Sequence, residues 1–220
     1  MEAIECITTR KSIRKFLDQP VSKELIMEVI RTAQQSPSYK NSQPWEVAVV
    51  SGAKKEGLST LMIDLLTADQ PPCPDLPAPS SWPEAEGDRI KDLLRMRKEA
   101  TGIDLGDPAI IKKAKKANFS FYGAPLAVYL YQDSSLSEWS LFDLGLFAQS
   151  LMLAAHGKGL GSVPQAFATD YSAQVKEYLG IPATKRLVLG LSMGYPDMDS
   201  SLNKLTTSRS PVEEISTWIE

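Results

Sequence analysis

The sequence has few residues of the kinds that bind metals or build disulfide frameworks. Its 220 residues include two cysteines, Cys6 and Cys73, and one histidine, His156. Two cysteines cannot provide the disulfide network of a small secreted domain, and zinc sites need three or four Cys, His or carboxylate ligands. We therefore expect no metal centre and a reducing compartment, which indicates a cytoplasmic protein.

Excess positive charge and a membrane-spanning apolar run are also lacking. Lys and Arg number 24 against 27 Asp and Glu, a formal net charge of −3, whereas nucleic-acid binders are usually basic. The most apolar segment, 141–155, contains Asp143 and is shorter than the roughly 20 residues that cross a bilayer. The first residues, MEAIECITTRKS, show no apolar stretch of a secretory signal. These features predict neither a nucleic-acid partner nor a membrane partner.

Common catalytic signatures are missing as well. The chain has no GxGxxG after a predicted strand, no GxxxxGK[ST] and no GxSxG. His156 ends an apolar helix, where bonding to the last carbonyls is its ordinary role, and Asp143 inside that helix is typical of a satisfied buried polar group. An enzyme with this sequence would need a cofactor for its chemistry.

What is present is the composition of a globular domain, with 43% hydrophobic and 23% charged residues. Helical periodicity or propensity predicts helices at 22–35, 53–66, 84–100 and 141–155 and another from Thr169 or Asp170 to Gly180. Short apolar runs predict strands at 45–50, 124–131 and 186–193. No break in composition divides the chain, so we expect one domain over residues 1–220.

Two segments stand apart from this predicted core. Residues 67–83 are too rich in proline for helix or sheet, and the charged helix after them has a narrow apolar stripe of Ile90, Leu93 and Leu94. We predict that 67–117 is a lid or excursion. A solvated helical face explains its charges more simply than a docking surface for an anionic substrate or nucleotide. From about residue 197 the chain is a polar arm that ends in Trp218 and Ile219, side chains that need a partner surface.

Two clusters of polar residues lie near the N-terminus. Arg10, Ser12 and Arg14 alternate, so an extended segment would project them from one side, which suits a phosphate. A solvated basic strand fits that spacing equally well. The second cluster, 36–45, places side-chain amides between Pro37 and Pro44, and amides suit a polyol or the edge of a heterocycle.

In this order and separation the two clusters resemble the N-terminal signature of the FMN-dependent nitroreductase family. The resemblance continues over nearly the whole chain. Its further matches are Asp143-x-Gly145, Gly159-Leu160-Gly161-Ser162, Pro164-Gln165, Gly194-Tyr195-Pro196 and Arg209. Thr207 stands where some members of the family have a second cation, so phosphate binding would rest mainly on Arg10 and Arg209.

The resemblance implies an α+β sandwich, a central and mostly antiparallel sheet covered by helices, in an intertwined homodimer with FMN at the subunit interface. By position, the FMN phosphate would be held by Arg10, Ser12 and Arg209. Lys11 and Arg14 would border the phosphate and the pyrimidine edge of the flavin. The partner subunit's flavin or its ribityl chain would be reached by Ser38, Tyr39, Asn41 and Gln43. Pro164 and Gln165 would offer backbone groups near flavin N5.

The activity implied by the resemblance is that of an NAD(P)H-dependent oxidoreductase. NADH or NADPH would pass a hydride to flavin N5, and a small acceptor such as a nitroaromatic or a quinone would then take it in a ping-pong cycle. No side chain would be an obligatory acid or base. Two alternatives stay open at this point. One is a flavin enzyme of the same fold with another reaction, such as a dehalogenase or dehydrogenase; the other is a non-enzymatic FMN-binding or regulatory protein.

Overall fold

The computed structural model describes residues 1–107 and 109–220. The helices are α1 (Ala3–Thr9), α2 (Lys23–Ala33), α3 (Gly52–Thr67), α4 (Glu84–Thr101), α5 (Pro108–Phe119), α6 (Trp139–Gly157), α7 (Ser172–Leu179) and α8 (Val212–Ile215). The strands are β1 (Glu46–Ser51), β2 (Leu126–Asp133), β3 (Gly161–Gln165) and β4 (Lys185–Gly194). The predicted strands at 45–50, 124–131 and 186–193 correspond to β1, β2 and β4.

The four strands form one sheet in the order β1-β2-β4-β3, and each neighbouring pair is antiparallel. This confirms the predicted antiparallel sheet. The pairing of β2 with β4 shifts register between Leu130 and Tyr131, which marks a bulge. Sequence patterning does not predict β3, because GSVPQ is short and contains glycine and proline. Proline is tolerated there because β3 is an edge strand.

Helices cover both faces of the sheet. Along β2, Val128 and Leu130 join a core with α2 and α6, while Ala127 and Tyr129 face a second core that includes α3 and α7. A strand buried on both faces needs apolar residues at consecutive positions, which explains the unbroken run in β2. The predicted α+β sandwich is therefore confirmed.

The helix α6 is the principal support on one face. It buries eight side chains, including Phe147, whose ring stacks on Trp45 at a centroid distance of 4.9 Å. Asp143 is buried within it and accepts hydrogen bonds from the backbone N–H of Tyr39, at 3.1 Å to each carboxylate oxygen. This is the satisfied buried polar group that the sequence predicts.

Two local predictions are wrong. The residue that caps α7 is Tyr171, without a side-chain hydrogen bond, because Thr169 Oγ1 instead donates to the Ala166 carbonyl and Asp170 pairs with Lys115. The C-terminal end at Gly180 is as predicted, with φ at 73°. His156 does not bond to the last carbonyls of α6; its Nε2 lies 2.9 Å from Thr9 Oγ1.

The segment 67–117 has an anchored beginning and a lightly packed middle. Asp75 accepts hydrogen bonds from Lys176 Nζ at 2.7 Å and from the Leu187 N–H at 2.8 Å, which ties the proline-rich loop to α7 and β4. By contrast, α4 buries none of its residues. No helix in the described part of the chain combines the length and apolar character that crossing a bilayer requires.

Candidate functional site

A cavity of about 1070 Å³ lies between the N-terminal segment, β3, the C-terminal segment and α4. Its walls include residues 7–14 and 159–162, Arg209 and, from α4, Leu93, Leu94 and Arg97. Five of the predicted site residues therefore surround one space. They are Arg10, Lys11, Ser12, Arg14 and Arg209.

The segment 10–14 is held against the sheet by its backbone. The N–H of Ile13 donates to the carbonyl of Ser162 at 3.0 Å, and Ser12 forms a parallel bridge with the same residue of β3. The close approach requires Gly161, because a Cβ at that position would lie 2.6 Å from Ile13 Cγ1. Upstream, α1 is fixed to α6 by a hydrogen bond from Cys6 Sγ to the Leu153 carbonyl at 3.2 Å. These contacts deliver the basic segment to the cavity.

Asn203 is the residue of this arrangement that sequence reasoning misses. Its side chain is buried and accepts from the Arg14 N–H at 2.7 Å. Its amide donates to the carbonyls of Lys15 and Asp197, each at 2.7 Å. Asn203 thus positions the backbone on either side of Arg14. No signal in the sequence distinguishes this asparagine from the other polar residues of the arm.

The cavity is lined by the guanidinium groups of Arg10 and Arg209, and neither group forms an ion pair with a carboxylate among the described residues. Arg10 Nη1 is buried and has no hydrogen-bond partner among the described residues. Burial, and then the charge of Arg209, lower the pKa of Arg10 from its ordinary value. Arg209 Nη1 donates to Thr207 Oγ1 at 2.8 Å. Thr207, which stands where some members of the family have a second cation, therefore orients Arg209 instead. A dianionic phosphate would accept a hydrogen bond from the buried Nη1 of Arg10, and its charge would offset the repulsion between Arg10 and Arg209. These residues therefore fit FMN.

A smaller cavity of about 220 Å³ adjoins the first, and Arg14 and Arg97 line both. Burial, and then the charge of Arg97, lower the pKa of Arg14, whereas the nearby hydroxyl of Tyr122 acts to raise it. Pro164 and Gln165 line this second space.

The side chain of Gln165 is used inside the protein. Its Nε2 donates to the Asn118 carbonyl at 2.9 Å, and its Oε1 accepts from Ser192 Oγ. Gln165 is left with its backbone to offer a ligand, the group that the resemblance implies for it. The contact with flavin N5 stays a prediction.

The other predicted cluster lies elsewhere. Ser38, Tyr39, Asn41 and Gln43 line neither of these two cavities; they form a loop beside the start of α6. Its backbone is unusual, with positive φ at Lys40, Asn41 and Gln43, and Ser38 Oγ accepts from the Gln43 N–H at 2.9 Å. One chain therefore contains two separate halves of the predicted site.

Comparison with known proteins identifies the group to which this arrangement belongs. The protein-family model described as "Nitroreductase family" matches residues 7–195 of this chain. The chain belongs to the nitroreductase family. This confirms the resemblance carried by the motifs, and with it the predicted enzyme class, an FMN-dependent oxidoreductase that uses NAD(P)H.

The similarity to known proteins extends over almost the whole chain. The chain is 34% identical to a 4-nitrobenzoate reductase of Pseudomonas putida, over 92% of this chain and 89% of that protein. It is 30% identical to a nitrobenzene nitroreductase of Ectopseudomonas oleovorans, over 98% and 96%. The solved structure of the FMN-dependent nitroreductase NfnB from Mycobacterium smegmatis in complex with NADPH superimposes with a TM-score of 0.94 at 28% identity, over 99% of this chain and 98% of that one.

Proposed function

We propose that this nitroreductase binds FMN between Arg10 and Arg209 and uses NADH or NADPH to reduce small nitroaromatic acceptors. The observation that carries the proposal is the buried Nη1 of Arg10, which has no hydrogen-bond partner among the described residues and lies beside a cavity that a second guanidinium, that of Arg209, also lines. Bound FMN supplies hydride transfer between the nicotinamide and the acceptor. Because this reaction consumes reduced nicotinamide, we place it in the cytoplasm.

The residues around the cavity divide the work of holding the cofactor. Arg10, Ser12 and Arg209 bind the phosphate, while Gly161 and Asn203 keep the segment that carries Arg10 in place. Lys11 and Arg14 border the flavin and supply positive charge, which favours its reduced, more anionic form. We expect no side chain of the protein to serve as an obligatory acid or base.

The acceptor class is supported by the relatives, which are named for nitrobenzene and for 4-nitrobenzoate. A quinone stays a second predicted acceptor. A non-enzymatic FMN-binding role is the weaker alternative, because the named relatives are reductases.

The functional unit is proposed to be a homodimer. The loop 38–43 carries predicted flavin contacts but lines neither of the two cavities described above, so a second subunit would have to present it to the flavin. Beside it, the exposed ring of Trp139 stacks on Tyr39 at a centroid distance of 6.1 Å and meets the exposed ring of Phe142 edge to face at 6.2 Å. The C-terminal arm also exposes Trp218 and Ile219, at 87% and 89% of their surface. Exposed apolar groups of this size indicate a partner surface.

Residues 67–117 are proposed as the cover of the acceptor site. Leu93 and Leu94 line the cavity from α4, whereas Trp82 of the preceding loop does not. Shortening the loop between Pro72 and Pro83 would remove Asp75 and its contacts to Lys176 and Leu187. Substitutions on α4 therefore test the cover more cleanly than a loop deletion.

FMN binding is tested by fluorescence titration of apoprotein with FMN. Arg10→Ala removes a charge-assisted contact of about 1.5–3 kcal/mol, so we expect the affinity to fall roughly tenfold or more. Arg31→Ala, an exposed arginine of α2, is the matched control and should bind FMN like the parent. Equal affinity in Arg10→Ala and parent would contradict the phosphate assignment. Bleaching of the loaded enzyme by NADH or NADPH, followed by reoxidation with nitrobenzene, tests the reaction.

The dimer is tested by light scattering on the FMN-loaded protein. Removing residues 211–220 should lower dimer stability and FMN retention together, because it takes away the exposed arm. A flavin-loaded monomer of the parent protein would contradict the shared site.

A further inference from the structure

The helix α4 carries five cations, and four of them are already paired along its outer surface. Arg89 pairs with Glu86 at 2.7 Å and Lys91 with Asp88 at 2.8 Å. Arg95 pairs with both Asp92 and Glu99, and Lys98 with Asp104 at 2.6 Å. Arg97 is the exception: no ion pair or hydrogen bond of its guanidinium is found among the described residues.

Arg97 is also the cation of α4 that lines the cavities. It borders both spaces where they meet, and two leucines of the same helix, Leu93 and Leu94, line the larger one beside it. The smaller space has apolar and aromatic walls from Pro164, Phe167 and Tyr122. An unpaired guanidinium next to such walls fits a flat apolar ring that bears an anionic group.

The neighbouring charges leave Arg97 free for a ligand. Glu5 is the one carboxylate in the lining of the larger cavity, against the cations Arg10, Lys11, Arg14, Arg97 and Arg209. The FMN phosphate is assigned to Arg10 and Arg209 at the other end. Lys115, which lies over the Phe167 ring at 5.0 Å, is paired with Asp170 at 3.2 Å. The guanidinium of Arg14 donates to the Ser12 carbonyl at 3.5 Å, and it is assigned to the flavin.

We infer that Arg97 binds the carboxylate of the acceptor, so that the preferred substrates are nitroaromatic acids. The inference rests on the proposed nitroreductase function and adds the charge of the substrate and the residue that reads it. A planar guanidinium binds a carboxylate through two parallel N–H···O bonds, which also fixes the orientation of the ring. The dianionic 2′-phosphate of NADPH is the competing ligand. It would call for a second cation beside Arg97, and the other cation that lines both cavities, Arg14, is assigned to the flavin.

The test compares two acceptors of the same size and shape, 4-nitrobenzoate and the neutral 4-nitrobenzamide, with the FMN-loaded enzyme. In Arg97→Gln we expect the ratio of kcat/KM for the acid to kcat/KM for the amide to fall about tenfold or more. Arg97→Lys should recover part of the ratio, because it restores the charge without the bidentate geometry. Arg95→Gln, which removes an exposed and paired arginine from the same helix, should keep the ratio of the parent.

A binding measurement separates recognition from turnover. Benzoate and benzamide are not reduced, and their dissociation constants follow from perturbation of the flavin absorbance in the oxidised enzyme. Arg97→Gln should weaken benzoate about tenfold relative to benzamide. An unchanged benzoate-to-benzamide ratio in this variant overturns the inference.

The remaining outcomes are also decisive. An acid-to-amide ratio in Arg97→Gln equal to that of the parent overturns the inference while the proposed function stands. In Arg97→Gln, kcat/KM for NADPH could fall relative to that for NADH while the acid-to-amide ratio is unchanged. This outcome assigns Arg97 to the 2′-phosphate of NADPH and also overturns the inference. If the loaded parent reduces neither 4-nitrobenzoate nor 4-nitrobenzamide with NADH or NADPH, it is the proposed function that fails.

Discussion

The helices α6 and α4 have almost the same length, 19 and 18 residues, and opposite roles. Eight side chains of α6 are buried, and its inner polar groups are satisfied by neighbouring elements. No side chain of α4 is buried, and most of its charges pair with one another in solvent. The first helix is stabilised by removing apolar surface from water, whereas exposed pairs of the second contribute little.

This difference separates the parts of the protein to which we assign the cofactor from the part that we propose as the cover of the acceptor site. The C-terminal half of α6 contacts α1 through Leu153 and His156, and α1 leads directly to Arg10. The helix α4 contributes Leu93, Leu94 and Arg97 to the lining of the cavity. Substitutions in α4 are therefore expected to change substrate preference at little cost in stability.

The largest effect is expected in α6. Phe147→Ala removes a fully buried ring that stacks on Trp45, so the free energy of unfolding should fall by about 3–5 kcal/mol. Leu94→Ala in α4 is the control. Because that side chain is 39% exposed, its removal should lower the free energy of unfolding far less. Urea denaturation followed by circular dichroism measures both. Similar losses in the two variants would show that α4 is as firmly packed as α6.

A smaller effect is expected at the anchor of the loop that leads to α4. Asp75→Ala leaves the buried ammonium of Lys176 without its carboxylate, and we expect the free energy of unfolding to fall by about 3 kcal/mol. Asp88→Ala breaks an exposed pair on α4 and should leave the urea midpoint unchanged. Adding Lys176→Met to Asp75→Ala should recover part of the loss. If Asp75→Ala also matches the parent, the loop is not anchored through this pair.

Within α4 the expected effect is on catalysis rather than on stability. Leu93→Ser changes a partly exposed residue that lines the cavity, so the free energy of unfolding should change by about 0.5 kcal/mol or less. The KM for nitrobenzene should rise a few-fold, because the apolar wall of the acceptor site is weakened. Leu76→Ser, an exposed leucine of the loop outside the cavity, should change neither quantity. Unchanged kinetics in Leu93→Ser would argue against α4 as the cover.

The smallest effect is a titration at the contact between α1 and α6. Partial burial, and then the charge of Arg10, lower the pKa of His156 below its ordinary value, so Arg10→Gln should raise it. FMN binding should raise it too, because the phosphate offsets the charge of Arg10. His156 is the single histidine of the chain, so its NMR titration can be assigned without ambiguity. A pKa that FMN leaves unchanged would separate this histidine from the phosphate site.

The same lowered pKa has a consequence for stability. The unfolded chain binds the proton of His156 more readily than the folded one, so the unfolding free energy falls as pH drops through and below the ordinary pKa of about 6.5. Above that range the histidine is neutral in both states and adds nothing to the pH dependence of the unfolding free energy. His156→Gln should weaken this part of the pH dependence.

The sequence by itself predicted the features that depend on local pattern. The apolar runs of β2 and β4, the all-round apolar α6 and the stop at Gly180 follow from burial and backbone preference, which neighbouring residues encode. The order of the short motifs was enough to predict the family and the cofactor. The residues predicted to hold the phosphate came by the same route; the structure places them beside one cavity, and their contacts with FMN stay a prediction.

Only the tertiary structure decided which residues meet across long separations in the chain. The strand β3 pairs in spite of its glycine and proline because β4 offers it an edge, and Asn203 positions Arg14 from 189 residues away. Arg95 and Arg97 look alike in sequence, yet the direction of each side chain on α4 makes one an exposed ion pair and the other a wall of the cavity. Such roles depend on the packing of distant segments, a property that no local pattern of residues contains.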